Sequence, residues 1–198
     1  MSTALQIKLN QAEYLQGELT AKDKHEFVDG DVYAMAGASE KHNVISGNFF
    51  AELYIQLKGS PCIPFIVDMK VSTLGDFYYP DVMVLCDKHK NDTDYVKYAP
   101  KLIVEVLSKS TRVFDHSIKQ AKYLKIPSLE YYVLIEQDFC EIQILSCAAG
   151  FIPQYYYLGD EITFSALNVT IAVTDIYDRI DNEDTAAYIQ ALAENNLA

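Results

Sequence analysis

Apolar positions along the chain follow two different periods. Between residues 26 and 33, Glu-Phe-Val-Asp-Gly-Asp-Val-Tyr alternates around Asp29-Gly30, which predicts a tight hairpin. From Ser39 the period lengthens: Ile45, Phe49, Leu53 and Leu57 recur at every fourth position. With Ser39 as N-cap, Glu40 in the first turn and Gly59-Ser60-Pro61 as a stop, a helix is predicted over about 39–58. Strand-like runs follow at 63–71, 78–85 and 102–107, then a second helical pattern over 111–125 closed by Pro127. Further strands are read at 130–136, 139–146 and 151–157, with turns near Gln137-Asp138 and over 148–150.

Hairpin, helix, three strands, helix and more strands together predict an α/β (α+β mixed) architecture, a mixed central sheet flanked by helices with extra C-terminal strands. At 198 residues and 22.4 kDa, with half the residues apolar, the chain can bury one proper core. A single domain over 1–198 is expected. The stretch from Asp175 is acidic and turns alanine-rich, a pattern open to either a closing helix or a frayed end.

Charge changes the picture in one place. A formal charge of −12 opposes loose contact with polyanions over the whole surface. Yet residues 97–125 hold seven of the sixteen basic residues and only two acids, so this segment carries +5 against −17 elsewhere. A charge run is commonly a solvated face. The alternative is a polynucleotide contact through Lys109, Arg112, Lys122 and Lys125.

The cysteines at 62, 86, 140 and 147 have neither paired metal-ligand spacing nor the density of a disulfide scaffold, so they read as buried thiols. The N-terminus shows no export pattern and no run reaches the roughly 18 apolar residues of a spanning helix. A cytoplasmic location without a membrane partner is the expectation. A homodimer is left open.

Candidate chemistry lies in the apolar runs. Asp81 follows Tyr78-Tyr79-Pro80, and Glu105 sits inside Leu102-Ile103-Val104-Glu105-Val106-Leu107. Carboxylates set into such strands are costly to bury without a cation, a proton or a ligand. Alternation puts Tyr79, Asp81 and Met83 on one face, and Ile103, Glu105 and Leu107 on one face of theirs. If these strands are neighbours the two acids converge, and a hard cation such as Mg²⁺, with Mn²⁺ as substitute, suits them. The bland alternative is a strand-capping Asp81 and a lysine-paired Glu105.

Phosphodiester hydrolysis at such a site also needs a positive group. Position 107 is leucine, which leaves Lys119 and Lys70 as candidates. Lys119 shares a helical stripe with Asp115, Lys122 and Tyr123, and its loss is expected to affect turnover more than folding. Were 63–71 to pair with 78–85 with Val71 opposite Tyr78, Asp68 would lie opposite Asp81, and Lys70 would share their face; a one-residue slip reverses this. Either lysine could equally be a surface residue. Among His25, His42, His89 and His116, none shows ligand spacing, and only His42, in the first turn of the first helix, is a candidate site residue. No glycine-rich phosphate loop and no nucleophile-and-base pair is present in the sequence.

Phe27-Val28-Asp29-Gly30, Ala38-Ser39 with His42, Tyr79-Pro80-Asp81-Val82, Leu102 to Ser108, Ser110-Thr111, Asp115, Lys119, Tyr123 and Ile126-Pro127-Ser128-Leu129 occur in that order. This series resembles the bacterial Uma-two family of restriction-endonuclease-like proteins, over about 14–180, leaving an acidic tail over about 181–198. The resemblance implies the PD-(D/E)XK nuclease core. It also implies Asp81 and Glu105 as metal ligands, Mg²⁺ as cofactor, and Lys119 on the following helix in place of the superfamily's usual lysine.

The resulting expectation is a metal-dependent endonuclease acting on nucleic acid, DNA by preference. The alternatives are a non-catalytic binding or assembly module on the same fold, and a small-molecule phosphohydrolase using the same metal site. A fold hosts sites and does not by itself specify chemistry.

Overall fold

The computed structural model describes residues 8–35 and 37–195. The N-terminal segment read as lacking an export pattern begins at residues outside that range. A short helix Gln11–Glu18 (α1), capped by Asn10, precedes the hairpin of β1 (His25–Val28) and β2 (Asp31–Ala34). The predicted first helix is Glu40–Gln56 (α2), with Ser39 Oγ accepting the His42 N–H as N-cap. Ile45, Phe49, Leu53 and Leu57 are all buried, so the fourfold spacing marked the face that packs.

Strands β3 (Ile63–Ile66), β4 (Lys70–Thr73), β5 (Asp76–Tyr78), β6 (Val82–Leu85), β7 (Val96–Lys97) and β8 (Leu102–Leu107) follow. After them come a helix over 112–123 (α3), β9 (Tyr131–Glu136), β10 (Ile142–Ser146) and β11 (Pro153–Tyr156). The extra C-terminal strands β12 (Glu161–Phe164) and β13 (Val169–Ala172) pair with each other. The acidic end is a helix, Glu183–Asn195.

Two larger sheets result, a six-stranded one ordered β11-β10-β9-β8-β6-β3 and a five-stranded one ordered β2-β1-β5-β4-β7. Only β8–β9 and β4–β7 pair in parallel among the described strands. The all-apolar neighbours of Glu105 are explained by this layering, because β8 is covered on both faces. Val82, Val84, Val104 and Val106 face α2 and the β12–β13 hairpin. Met83, Ile103 and Leu107 face α3 and the five-stranded sheet, packing with Tyr123, Val71 and Tyr78.

The runs 63–71 and 78–85 are each split between the two sheets. Val71 does pair with Tyr78, but beyond the break the register is Ile66↔Val82, one residue out of step. The offset is absorbed at Val67 and Asp68, both left-handed (φ 52° and 57°), a conformation that is costly for a β-branched residue. Asp68 consequently turns outward to Lys24, with 77% of its side chain exposed, and does not join Asp81. On the other run, Tyr79-Pro80-Asp81 makes the crossing, which puts Asp81 at the junction of the sheets.

The cysteine expectation is corrected in part. Cys62 and Cys86 are disulfide-bonded across the β3–β6 edge, Cys147 is exposed, and Cys140 alone is a buried thiol. Spacing along the chain could not show that pairing, because only the strand register makes residues 62 and 86 opposite. Among the described residues, no helix is long and apolar enough to cross a membrane.

Candidate active site

The register of β6 with β8 pairs Val82 with Val104, so one step back Asp81 stands across from Glu105. Asp81 continues the ladder, donating its N–H to Val104 O at 3.1 Å. Its Oδ2 accepts the Val106 N–H at 2.7 Å and lies 3.2 Å from His42 Nε2. His42 reaches this point from the first turn of α2. Burial disfavours its imidazolium, but the Asp81 carboxylate more than offsets this, so His42 titrates above its ordinary value.

Glu105 is 3% exposed and its Oε1 accepts Tyr123 Oη–H at 2.9 Å and Lys119 Nζ–H at 3.2 Å. Burial pushes its carboxyl well above the usual range; Lys119 opposes the shift, while Asp115, Asp81 and Glu26 add to it. Both hydrogen-bonding sets leave one oxygen uncommitted among the described residues, Asp81 Oδ1 and Glu105 Oε2.

Lys119 is placed by an irregularity in α3. Residues Arg112–Phe114 and Gln120–Tyr123 are α-helical, but Asp115–Lys119 form a π-helical turn. Asp115 O accepts both the Gln120 N–H and, at 3.0 Å, the Tyr132 Oη–H. Widened turns of this kind are frequent at functional positions, since they shift the side chains they carry. Here Lys119 is 5% exposed, with its ammonium 2.9 Å from Glu26 Oε1, 3.2 Å from Glu105 Oε1 and 3.3 Å from Asp115 Oδ1. Desolvation works against the charge, and the three carboxylates win, holding Lys119 protonated. This burial among three carboxylates weighs against the expectation that Lys119 affects turnover more than folding, because removing one partner of a buried ion network strands the others.

Glu26 was not legible as a site residue. It comes from β1 in the other sheet, and its Oε1 also accepts the Tyr79 N–H at 3.2 Å. The one available signal was its position next to the apolar Phe27-Val28 pair of a hairpin strand, both of which are buried. Lys70 lies elsewhere: its Nζ donates to Tyr79 Oη at 2.8 Å, and Tyr79 in turn donates to Glu18 Oε1 at 3.0 Å. That chain ties α1 to the sheet, and burial lowers the Lys70 pKa.

The basic segment is largely paired. Lys101 meets Glu130 at 3.7 Å, Arg112 meets Glu136, and Lys122 meets Asp29 at 2.9 Å and Asp76 at 2.7 Å. Lys109 and Lys125 are exposed and make no ion pair among the described residues, but they flank opposite ends of α3. The four residues read as a polynucleotide contact thus do not form one face of free charge.

The donor set suits a hard cation. Three carboxylates, Glu26, Glu105 and Asp115, surround the Lys119 ammonium, and Asp81 stands across from Glu105 on the neighbouring strand. No group of three or more His, Cys, Asp or Glu side chains among the described residues has metal-holding geometry. A two-carboxylate site still fits Mg²⁺, which ordinarily takes one or two carboxylates and completes its shell with water and phosphate oxygens.

The architecture is a mixed sheet with helices on both faces and the Asp81 and Glu105 pair at its centre. A crystal structure of a protein from Anabaena variabilis ATCC 29413, described as "a putative nuclease belonging to DUF820", matches it with a TM-score of 0.70. The match spans 86% of this chain and 98% of the other, at 14% sequence identity. The chain belongs to the Uma2 family, described as "Putative restriction endonuclease", whose model matches residues 11–172. Two Synechocystis sp. (strain ATCC 27184 / PCC 6803 / Kazusa) proteins are similar in sequence. The uncharacterized protein slr1290 is 34% identical over 175 residues, covering 86% of this chain and 92% of its own. The uncharacterized protein sll1609 is 38% identical over 136 residues, covering 67% of this chain and 76% of its own.

Proposed function

We propose that the chain is a metal-dependent endonuclease that hydrolyses phosphodiester bonds, in DNA by preference. The observation that carries this reading is the opposition of Asp81 and Glu105, each with a free oxygen, beside a buried lysine. Mg²⁺ or Mn²⁺ held by these two acids would supply a Lewis acid and an acidified water for attack on phosphorus. The Asp81 carboxylate is held in place by the Val106 N–H and His42, so both its oxygens have defined directions. Glu105 is fixed in the same way by Tyr123 and Lys119. Lys119 adds positive potential in a water-poor setting, where charge stabilisation acts strongly.

The test is cleavage of supercoiled plasmid with Mg²⁺ or Mn²⁺, compared with Asp81→Asn and Asp81→Ala. Metal-dependent nicking that both variants lose supports the proposal. Equal nicking by wild type and variants overturns it. Turnover of mononucleotides or nitrophenyl phosphate without any cut in plasmid or RNA would instead assign the same site to a small-molecule phosphohydrolase.

A binding or assembly module on the same fold is the second reading, favoured by the pairing of Lys101, Arg112, Lys119 and Lys122 with acids. Metal binding without cleavage of any polynucleotide would select it.

A further inference from the structure

Lys119 is unusual in how fully its ammonium is used. It has three N–H donors and three carboxylate oxygens within 3.3 Å, from Glu26, Glu105 and Asp115. With the residue 5% exposed, its charge faces these acids and not solvent. The three acids come from three separate elements, β1, β8 and α3, and converge on one point occupied by a positive charge. Such an arrangement is the oxygen shell of a cation.

Two further observations bear on this. Asp115 Oδ1 is buried in a residue only 1% exposed and has no hydrogen bond, so its place 3.3 Å from the ammonium is held by charge alone. Glu105, meanwhile, turns Oε1 toward the ammonium and leaves Oε2 open, the posture of a carboxylate that bridges two cations. In two-metal phosphodiester sites the ions sit about 3.5–4 Å apart, commonly sharing ligands in this manner.

We infer that the Lys119 ammonium fills, from within the protein, the position that a second cation would take beside Asp81 and Glu105, so that the chain binds one divalent ion and not two. This rests on the reading of Asp81 and Glu105 as the divalent site. On this assignment Lys119 is a positioning residue: it neutralises the acids around Glu105 and holds the bridging carboxylate ready. Taking away its side chain opens a pocket with three carboxylates, a ligand set a divalent ion satisfies with added water.

Mn²⁺ titrated into the full chain, with bound ion counted by equilibrium dialysis and electron paramagnetic resonance, tests this without relying on activity. Wild type should bind one Mn²⁺ per chain and Lys119→Ala two, with spectral broadening from ions that share Glu105. Lys119→Arg, which keeps a cation against the same acids, should stay at one. The double variant Glu26→Gln, Lys119→Ala should lose the added ion. Two ions on wild type or on Lys119→Arg, or only one on Lys119→Ala, overturn the assignment. Should Lys119→Ala fail to fold, the wild-type count still decides, one ion supporting it and two overturning it. Wild type that binds no Mn²⁺ removes the Asp81 and Glu105 reading instead; the internal-cation assignment then stands if Lys119→Ala gains an ion and falls if it does not.

Discussion

Glu26 Oε1 lies 2.9 Å from Lys119 Nζ, although one residue belongs to the five-stranded sheet and the other to a helix packed on the six-stranded sheet. The ion pair therefore spans the junction at which Tyr79-Pro80-Asp81 changes sheets. Stability and the candidate site are coupled at this point, since the charges that fix the layers together are those that surround Glu105.

Lys119→Met should lower stability by about 3–5 kcal/mol, the usual cost of leaving one side of a buried ion network uncompensated. For a chain of this size that corresponds to a fall in Tm of roughly 6–20 °C. Thermal denaturation at neutral pH checks it, and a shift of a degree or two would show that Lys119 is not buried among acids in solution. Lys70→Met should leave metal binding intact.

Glu105→Gln should abolish binding of a divalent ion at the Asp81 and Glu105 pair, because an amide keeps the shape but offers no charge to a hard cation. Calorimetric titration with Mg²⁺ or Mn²⁺ reads this directly. Binding by the variant equal to that of wild type would remove Glu105 from the ligand set.

The metal-free protein should lose stability as pH rises from the weakly acidic range. The Glu105 carboxyl is raised by burial well above its ordinary value. Its contribution is therefore fully present below about pH 4.5 and is lost as pH climbs through the raised value. His42, raised above 6.5 by Asp81 despite burial, acts in the same sense, contributing below about pH 6.5 and fading above its folded value. Tm measured from pH 4 to 8 in wild type and Glu105→Gln should show a difference that changes with pH in this direction. A constant difference would contradict the shift assigned to Glu105.

Reversing the charges of the basic segment should separate two kinds of residue. Lys109→Glu with Lys125→Glu should weaken retention of DNA and RNA at low salt without moving Tm, because both side chains are exposed and unpaired among the described residues. Lys122→Glu should lower Tm, since it sets a third negative charge against Asp29 and Asp76. If the paired lysine proves the more important for retention, the ion pairs open on binding, and the segment works as a unit after all.

The one-dimensional pattern determined whatever depends on neighbours along the chain. Ser39 and the spacing of Ile45, Phe49, Leu53 and Leu57 defined α2, Asp29-Gly30 defined the first hairpin, and the apolar run around Glu105 marked a doubly covered strand. Alternation likewise put Glu105 with Leu107 on the face toward α3, and that facing is present, whereas Asp81, just before β6, meets His42 of α2. The tertiary structure decided what depends on register and layer crossing. A one-residue offset absorbed at Val67 and Asp68 divided two continuous-looking strands between sheets and sent Asp68 outward to Lys24. The same crossing brought Glu26 across to Lys119 and set Cys62 opposite Cys86. A π turn in α3 placed Lys119 among three acids, while Arg112 and Lys122 found Glu136, Asp29 and Asp76 from distant strands. Sequence spacing records how side chains are distributed on one element. The charges that meet across elements follow from how strands pair and sheets stack, and these cancelled the excess of basic residues that the linear count had suggested.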